Sequence, residues 1–248
     1  PALESNDFTF LPKTAGQVWD LVNLNGNLLC GHNAGLFLIR DNEVKHIFDN
    51  AGVWHVAPIP NEPNLYIMGT YYGFYLLKES GNDFEVICKI SGLEESARRF
   101  FFDSKGFLWR SHGYKAIYQL QLSPDYKSFK TIIVHNSTSD LPMDYNNDAV
   151  LFRNKVIATT EKGIYGFDYS SNKFIYDSKW DTLFNGNASH FTRIIESNSK
   201  KIWAFRRGSM QLLSYLTDKI YDLNTRSFLL INTTLSGSYE NVLALNND

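Results

Sequence analysis

Several aromatic and basic side chains fall where the sequence predicts short turns or the beginnings of strands, positions at which a side chain can meet a ligand. They are Trp54, His55, Tyr71, Tyr72, Arg98, His112, Tyr114, Arg206 and Arg207. Flat aromatic rings can stack on the apolar faces of sugar rings, and an arginine fork can bind a carboxylate or a sulfate through two parallel hydrogen bonds. These residue types favour a site for non-covalent binding.

The signatures of covalent catalysis and of metal binding are missing from the sequence. The six histidines form no HxH or HExxH spacing, and there is no CxxC pair, GxSxG turn or P-loop. Carboxylates that could act as a pair in glycoside hydrolysis are present: Asp20, Glu94, Glu95, Asp148 and Glu161. Such a pair needs a defined separation, which sequence positions do not set. We therefore predict no catalytic residue, no metal and no cofactor.

The strands that must position these side chains are clearest after Arg98. The apolar run Phe100–Phe102 predicts one strand, Asp103–Gly106 a four-residue turn, and Phe107–Arg110 a second strand. A tight turn at Gly113 leads into a third strand. This hairpin with an added strand serves as the template for the rest of the chain.

The same pattern recurs and is marked by a small residue that opens the third strand, namely Gly35, Gly73, Ala116 and Gly163. Seven positions before each marker stands a bulky apolar residue: Leu28, Tyr66, Trp109 and Val156. A fifth copy is indicated by the likeness of Ile220–Phe228 to Ile164–Phe174, which makes Lys219 its marker. Its apolar equivalent, Trp203, lies sixteen residues before Lys219, so we expect about nine extra residues within Arg206–Asp218.

The spacing of the markers, 38 to 56 residues, is typical of a four-stranded propeller blade. We predict an all-β fold, a β-propeller of four-stranded antiparallel blades, in which residues 1–248 form a single domain or a fragment of one. The whole repeats are expected at about 18–48, 53–91, 98–135, 148–178 and 192–232. Phe8–Phe10 and the last residues, Tyr239–Asp248, are expected to be strands of partial blades at the two ends.

Each candidate site residue also has a structural alternative. The four tryptophans at repeat positions, Trp19, Trp54, Trp109 and Trp203, are typical of packing between blades. Either Tyr71 or Tyr72 could cap a neighbouring blade. Arg98 and Arg99 could pair with Glu94 and Glu95, and exposed pairs of this kind contribute little stability. Asp103 is expected to satisfy the backbone donors of its turn, with no role in chemistry.

Composition narrows the possible partners. The chain has 248 residues, 24 basic and 26 acidic, and the basic residues are scattered, which disfavours a nucleic-acid or anionic-membrane surface. No apolar run is long enough to cross a membrane, and the first residues, PALESNDF, do not resemble a signal peptide. Cys30 and Cys88 each fall in an apolar run and are expected to be buried free thiols.

The repeat resembles that of the two-component-regulator propeller family. Asp103–Trp109 (DSKGFLW) is similar to one half of the family repeat, and Gly69–Phe74 (GTYYGF) is similar to the other. The likeness extends over nearly the whole chain, although no single repeat is complete. Blade three has Ala116 in place of the second glycine, the fifth copy has Arg206 and Arg207 where Gly-Thr belongs, and the first has Leu28 where Trp belongs.

The resemblance implies a periplasmic sensor region of a hybrid two-component histidine kinase or of a related one-component regulator of gut anaerobes. It implies an extracytoplasmic, ligand-sensing propeller that binds an oligosaccharide, and a homodimer of the full-length protein. Any kinase activity would lie outside this chain. Two alternatives stay open: a propeller-fold polysaccharide lyase or glycoside hydrolase, and a protein-interaction scaffold.

Overall fold

The computed structural model describes residues 11–41, 43–183, 188–189, 191–196, 201–206, 209–214 and 219–222. This part of the chain is built almost entirely of β-strands. In blade one they are β1 Val18–Leu24, β2 Asn27–His32, β3 Gly35–Arg40 and β4 Glu43–Phe48. In blade two they are β5 Val53–Pro58, β6 Leu65–Thr70, β7 Gly73–Ser80 and β8 Asp83–Ile90.

The later strands follow the same plan. Blade three comprises β9 Arg99–Phe102, β10 Leu108–His112, β11 Ala116–Leu122 and β12 Phe129–His135. Blade four comprises β13 Asp148–Phe152, β14 Lys155–Thr160, β15 Gly163–Asp168 and β16 Lys173–Tyr176, followed by a short helix, α1 Lys179–Leu183. Blade five comprises β17 Phe191–Glu196, β18 Lys201–Arg206, β19 Ser209–Ser214 and β20 Lys219–Asp222.

Each blade is one four-stranded antiparallel sheet in which strands are hydrogen-bonded in chain order. The second strands β2, β6 and β14 are almost wholly buried, whereas the outer strands β4 and β12 alternate between covered and exposed residues. A strand covered on both faces is a nearly continuous apolar run, and a strand covered on one face alternates. The predicted all-β propeller fold is confirmed.

The marker glycines open the third strands because of their backbone geometry. Gly35, Gly73 and Gly163 have φ of 130°, 105° and 130°, a region that side chains with a Cβ rarely adopt. Two residues connect the second and third strands in these blades, whereas three residues, Gly113–Lys115, do so in blade three. After this longer turn the first residue of the third strand does not have a positive φ, so Ala116 can occupy the position of the marker glycine.

The expected insertion in the fifth copy is wrong. Ser209–Ser214 forms the third strand β19, and Lys219–Asp222 is the fourth strand rather than the third. Arg206 pairs with Ser209 across a two-residue connection, as Thr160 pairs with Gly163 in blade four. The prediction failed because the likeness of Ile220–Phe228 to Ile164–Phe174 matched an outer strand to an inner one.

The chain divides into two compact units. The first contains blades one and two, the residues up to Arg99 and the turn Ser123–Phe129, and the second contains the remaining residues. In the first unit Leu29 packs with residues of the next blade, among them Val56, Met68 and Leu77.

The second unit has two clusters of buried residues. Trp109 packs with Val156, Ala158 and Phe174 of the following blade, and Ile157 packs with Phe191 and Ile194 of blade five. The predicted burial of Trp109 is confirmed, since its side chain is fully buried.

The remaining features outside the blades are few. Helix α1 lies in the connection between β16 and β17. Cys30 and Cys88 are free thiols, as predicted, although only Cys30 is fully buried. Within the described ranges no helix has the length and apolar character needed to span a bilayer. The strands expected at Phe8–Phe10 and Tyr239–Asp248 lie outside the described residues.

Candidate functional site

Two equivalent β-bulges bring two tryptophans together in the first unit. Val18 pairs with His32 and Asp20 with Gly31, which leaves Trp19 as an extra residue on β1. The same shift occurs on β5 at Trp54. A bulge re-aims the side chain of the extra residue, and bulges are frequent beside functional sites. The centroids of the two indole rings lie 4.5 Å apart.

Two tyrosines of the connection between β6 and β7 extend this pair into a cluster. The ring centroid of Tyr71 lies 4.8 Å from that of Trp54 and 6.5 Å from that of Tyr72. The Nε1–H of Trp19 donates to the Tyr71 hydroxyl at 2.9 Å, which joins blade one to blade two. We call Trp19, Trp54, Tyr71 and Tyr72 the aromatic cluster.

Local backbone contacts fix the position of Tyr71. Its N–H donates to the carbonyl of Gly52 at 3.0 Å, and its ring lies against the same glycine. A Cβ at Gly52 would stand 2.4 Å from Cζ of Tyr71, so a larger residue would displace the ring. The Thr70 hydroxyl accepts the Tyr72 N–H at 3.1 Å and donates to the Gly73 carbonyl at 3.0 Å. These hydrogen bonds of the Thr70 hydroxyl stabilise the turn.

Arg98 lies beside the cluster in the segment before β9. Its guanidinium carbon is 4.7 Å from the centroid of the Trp54 ring, a cation–π distance. The Nε1–H of Trp54 donates to the Ser96 hydroxyl at 2.9 Å, and the Ala97 N–H donates to the Thr70 carbonyl at 2.9 Å. Trp54 thus contacts Trp19, Tyr71 and Arg98, and it forms a wall of the site.

The residues that follow the two bulges also meet. Asp20 and His55 occupy equivalent positions on β1 and β5, and Nδ1 of His55 lies 2.5 Å from Oδ2 of Asp20. The side chains of His55 and Asp20 are 36% and 28% exposed, so solvent reaches both. Gly31 permits the close approach of β2 to the backbone of β5, because a Cβ there would stand 2.9 Å from the carbonyl oxygen of Val53.

The exposed surface at the cluster is mainly that of Tyr72, which is 60% exposed. Trp19, Trp54 and Tyr71 are half-buried, and on β1 Val18 and Leu21 are 46% and 57% exposed. A ligand would therefore meet an accessible tyrosine ring beside fixed indoles, with the Asp20–His55 pair and Arg98 as charged groups nearby.

The structure thus assembles five of the nine predicted residues, Trp54, His55, Tyr71, Tyr72 and Arg98, in the first unit. From the sequence, Trp19 was expected to pack between blades, and Asp20 was considered only as a possible catalytic acid. A signal for both was available in the repeated sequences Val18-Trp19-Asp20-Leu21 and Val53-Trp54-His55-Val56.

The other predicted residues belong to the second unit and are described separately. His112 ends β10, its ring centroid lies 6.5 Å from that of Tyr114, and Tyr114 is 82% exposed. The Asn146 N–H donates to the Gly113 carbonyl at 2.9 Å, which ties the connection between β12 and β13 to this turn. Arg206 ends β18 and is described by its backbone pairing alone, and Arg207 lies outside the described residues.

The described residues contain no cluster suited to a metal ion. Within the ranges given above, no three His, Cys, Asp or Glu side chains approach one another as ligands of one ion would.

No protein-family model and no curated protein matches the sequence. Solved structures do match the fold. An extracellular domain assigned to a one-component system of B. thetaiotaomicron has a TM-score of 0.64 and 16% identity, covering 87% of this chain and 29% of that one. An extracellular domain assigned to a hybrid two-component system of the same organism has a TM-score of 0.58 and 16% identity, covering 82% and 28%.

An enzyme shares the architecture as well. Virginiamycin B lyase from Staphylococcus aureus has a TM-score of 0.55 and 9% identity, covering 87% of this chain and 72% of that one. At such identities the likeness shows the β-propeller fold alone. The resemblance expected from the sequence is confirmed at that level, and this chain spans less than a third of the length of the two extracellular domains.

Proposed function

We propose that this chain is an extracytoplasmic, ligand-sensing propeller domain that binds an oligosaccharide at the aromatic cluster. The observation that carries the proposal is the pair of equivalent bulges that places Trp19 against Trp54 beside the exposed ring of Tyr72. Rigid aromatic rings flanked by a few charged groups are suited to sugars, whose rings have apolar faces and polar edges.

A sensing role is supported by the likeness to extracellular domains of signalling systems in B. thetaiotaomicron. The intact protein would then be a hybrid two-component sensor histidine kinase or a related one-component regulator, with its propeller in the periplasm. Binding of ligand would be transmitted to parts of the protein outside this chain, and the full-length protein would act as a homodimer.

The proposal can be tested by the thermal stability of the purified domain in the presence of neutral, uronic and sulfated oligosaccharides. A ligand that binds only the folded state, at a hundred times its Kd, stabilises by about 2.7 kcal/mol, which raises the Tm measurably. We expect at least one oligosaccharide to do so and to be recovered intact. If no member of the panel shifts the Tm, the proposed function is wrong and the scaffold alternative is favoured.

Substitutions can then locate the site. Tyr72→Ala removes an exposed ring and should abolish the shift with little change in the Tm of the unliganded domain. The matched control is Tyr145→Ala, because Tyr145 is also a half-exposed tyrosine, at 49%, but belongs to the second unit. An equal loss of binding in both variants would contradict the assignment of the site.

A second function is favoured by one observation, the Asp20–His55 pair. A carboxylate that orients an imidazole is an arrangement used in general acid–base catalysis, so a propeller-fold lyase or glycoside hydrolase is the alternative. In the same experiment the enzyme would be revealed by shortened products that wild-type protein forms and His55→Asn does not.

A further inference from the structure

The aromatic cluster has a cationic neighbour, Arg98, that bears on the charge of its ligand. On the basis of the proposed function, we infer that the ligand is an acidic oligosaccharide, and that Arg98 binds its carboxylate or sulfate group while the sugar ring contacts Tyr72.

The indole N–H groups of the cluster already have acceptors in the protein. Nε1 of Trp19 donates to the Tyr71 hydroxyl and Nε1 of Trp54 donates to the Ser96 hydroxyl, each at 2.9 Å. An indole has one donor and no acceptor, so neither ring can also donate a full hydrogen bond to a sugar hydroxyl. The polar selectivity of the site must therefore come from its other groups, of which Arg98 and the Asp20–His55 pair are charged or ionisable.

The guanidinium of Arg98 lies over the Trp54 ring, next to the aromatic cluster. The N–H groups of a guanidinium lie in its own plane, in a fixed fork. It has five N–H donors, and two of them match the spacing of carboxylate or sulfate oxygens. The neighbouring Ala97 is fully buried and bonded to Thr70, so the backbone that presents Arg98 is fixed to the strand that leads into Tyr71 and Tyr72.

The carboxylate of Glu94, four residues before Arg98, forms an ion pair with Lys89. This ion pair lessens the repulsion that an anionic ligand would meet there. The fork of Arg98 and the ring of Tyr72 can then select a sugar that has both an apolar face and an anionic substituent.

Matched pairs of oligosaccharides test the inference. The probes are trigalacturonate with its fully methyl-esterified form, and a sulfated chondroitin disaccharide with its desulfated form, measured by calorimetry at low and high salt. We expect the charged member of at least one pair to bind more than about tenfold tighter than the neutral member, since a charge-assisted bidentate contact has this strength. Salt should weaken that preference.

Arginine variants identify the group responsible. Arg98→Gln should remove the preference for the charged member, whereas Arg98→Lys, which keeps the charge but not the fork, should retain only part of it. Arg99→Gln is the matched control, because Arg99 is the adjacent arginine in sequence but belongs to strand β9 rather than to the segment beside the cluster. It should change affinity less than about twofold, as expected for a partly screened charge.

The outcomes separate this inference from the proposed function. Two results would overturn the inference and leave the proposed function standing. One is tighter binding of the neutral members that depends on Tyr72. The other is binding of the charged members that is retained in a folded Arg98→Gln variant. Failure of every member of both pairs and of the oligosaccharide panel overturns both. Unchanged thermal unfolding of Arg98→Gln, compared with wild type, establishes that lost binding does not reflect lost folding.

Discussion

A single carboxylate, that of Asp103, holds both a turn and the contact between two blades. Its Oδ1 accepts the N–H groups of Lys105 and Phe107 at 2.9 Å, and its Oδ2 accepts Nε1–H of Trp109 and the hydroxyl of Tyr169, each at 2.7 Å. Burial, and then this carboxylate, raise the pKa of Tyr169 above its usual range. The expected role of Asp103 as a turn residue is confirmed, and the structure adds the bonds to the two aromatic side chains.

Substitution of Asp103 should therefore lower the stability of the folded protein. Asp103→Asn places an amide donor where two other donors already point, and we expect a loss of about 2–4 kcal/mol in the free energy of unfolding. Urea denaturation monitored by fluorescence measures it. Asp125→Asn is the matched control, because Asp125 also accepts a turn N–H but is exposed, and it should change stability little. Equal effects of the two substitutions would contradict the role assigned to Asp103.

The pair of His135 and Asp140 has a similar role in the connector after β12. Both side chains are almost wholly buried, with Nδ1 of His135 2.8 Å from Oδ2 of Asp140. The pKa of Asp140 is affected first by burial, which raises it. Hydrogen bonds from His135, the Phe174 N–H and the Ser139 hydroxyl outweigh burial, so the pKa lies below its usual value.

This shift predicts a dependence of stability on pH. The unfolded chain protonates Asp140 near its ordinary pKa of about 3.9, whereas the folded protein keeps it ionised to lower pH. The stabilisation is therefore present above about pH 4–5 and is lost as pH falls through the folded-state pKa. We expect the difference in urea midpoint between wild type and Asp140→Asn to shrink on acidification.

A control for this prediction lies in the same connector. Asp144 is exposed, and its Oδ1 accepts the backbone N–H and the hydroxyl of Ser137 at 2.9 Å and 2.6 Å. Asp144→Asn should show a smaller difference from wild type at neutral pH. A difference for Asp140→Asn that stays constant between pH 7 and pH 3 would refute the assignment to this carboxylate.

Among the elements, the connection between the second and third strands determines how a blade closes. Its marker glycine combines a positive φ with a close contact: in blade one a Cβ on Gly35 would stand 1.8 Å from the carbonyl oxygen of Phe48.

The length of the connection also sets the register. Counted back from the end of the second strand, Trp109 aligns with Leu29, Ile67, Ile157 and Trp203. Spacing from the marker had aligned it with Leu28, Tyr66 and Val156, one residue away and on the other face.

The two effects of the glycine can be separated by substitution. Gly35→Ala must strain the backbone and displace the outer strand, and we expect a loss of about 2–4 kcal/mol in the free energy of unfolding. Gly26→Ala is the control, because Gly26 has a φ of 86° but no heavy atom within 4 Å of its added Cβ. That change should cost only about 1 kcal/mol. Similar losses in both variants would show that φ alone, and not the contact with Phe48, matters.

Across the blades, repetition of one sheet produces both the core and the candidate site. Leu29 and Trp109, on the second strands of blades one and three, are covered by residues of the blade that follows within the same unit. In the first unit, equivalent positions of blades one and two lie side by side, so Trp19 and Trp54, 35 positions apart in the sequence, are neighbours. A site built in this way needs no motif that is local in the sequence.

Local structure could be predicted from the amino-acid sequence alone. Alternating and continuous apolar runs defined the strands, and turn residues such as Asn25 with Gly26 and Asp103 with Gly106 defined the hairpins, because these preferences act over a few residues. Their repetition was sufficient to predict the propeller fold. It was not sufficient where a weak copy offered two alignments, as in blade five.

Which side chains meet depends on the pairing and packing of the sheets. The bulges at Trp19 and Trp54 arise from pairing between strands, and the contacts of Asp20 with His55 and of Arg98 with Trp54 join different blades or the segment between them. Such contacts are set by register and by the packing of sheets, to which residues far apart in the chain contribute. The residue types favoured a binding site, and the geometry of the blades determined which of the candidate residues lie together.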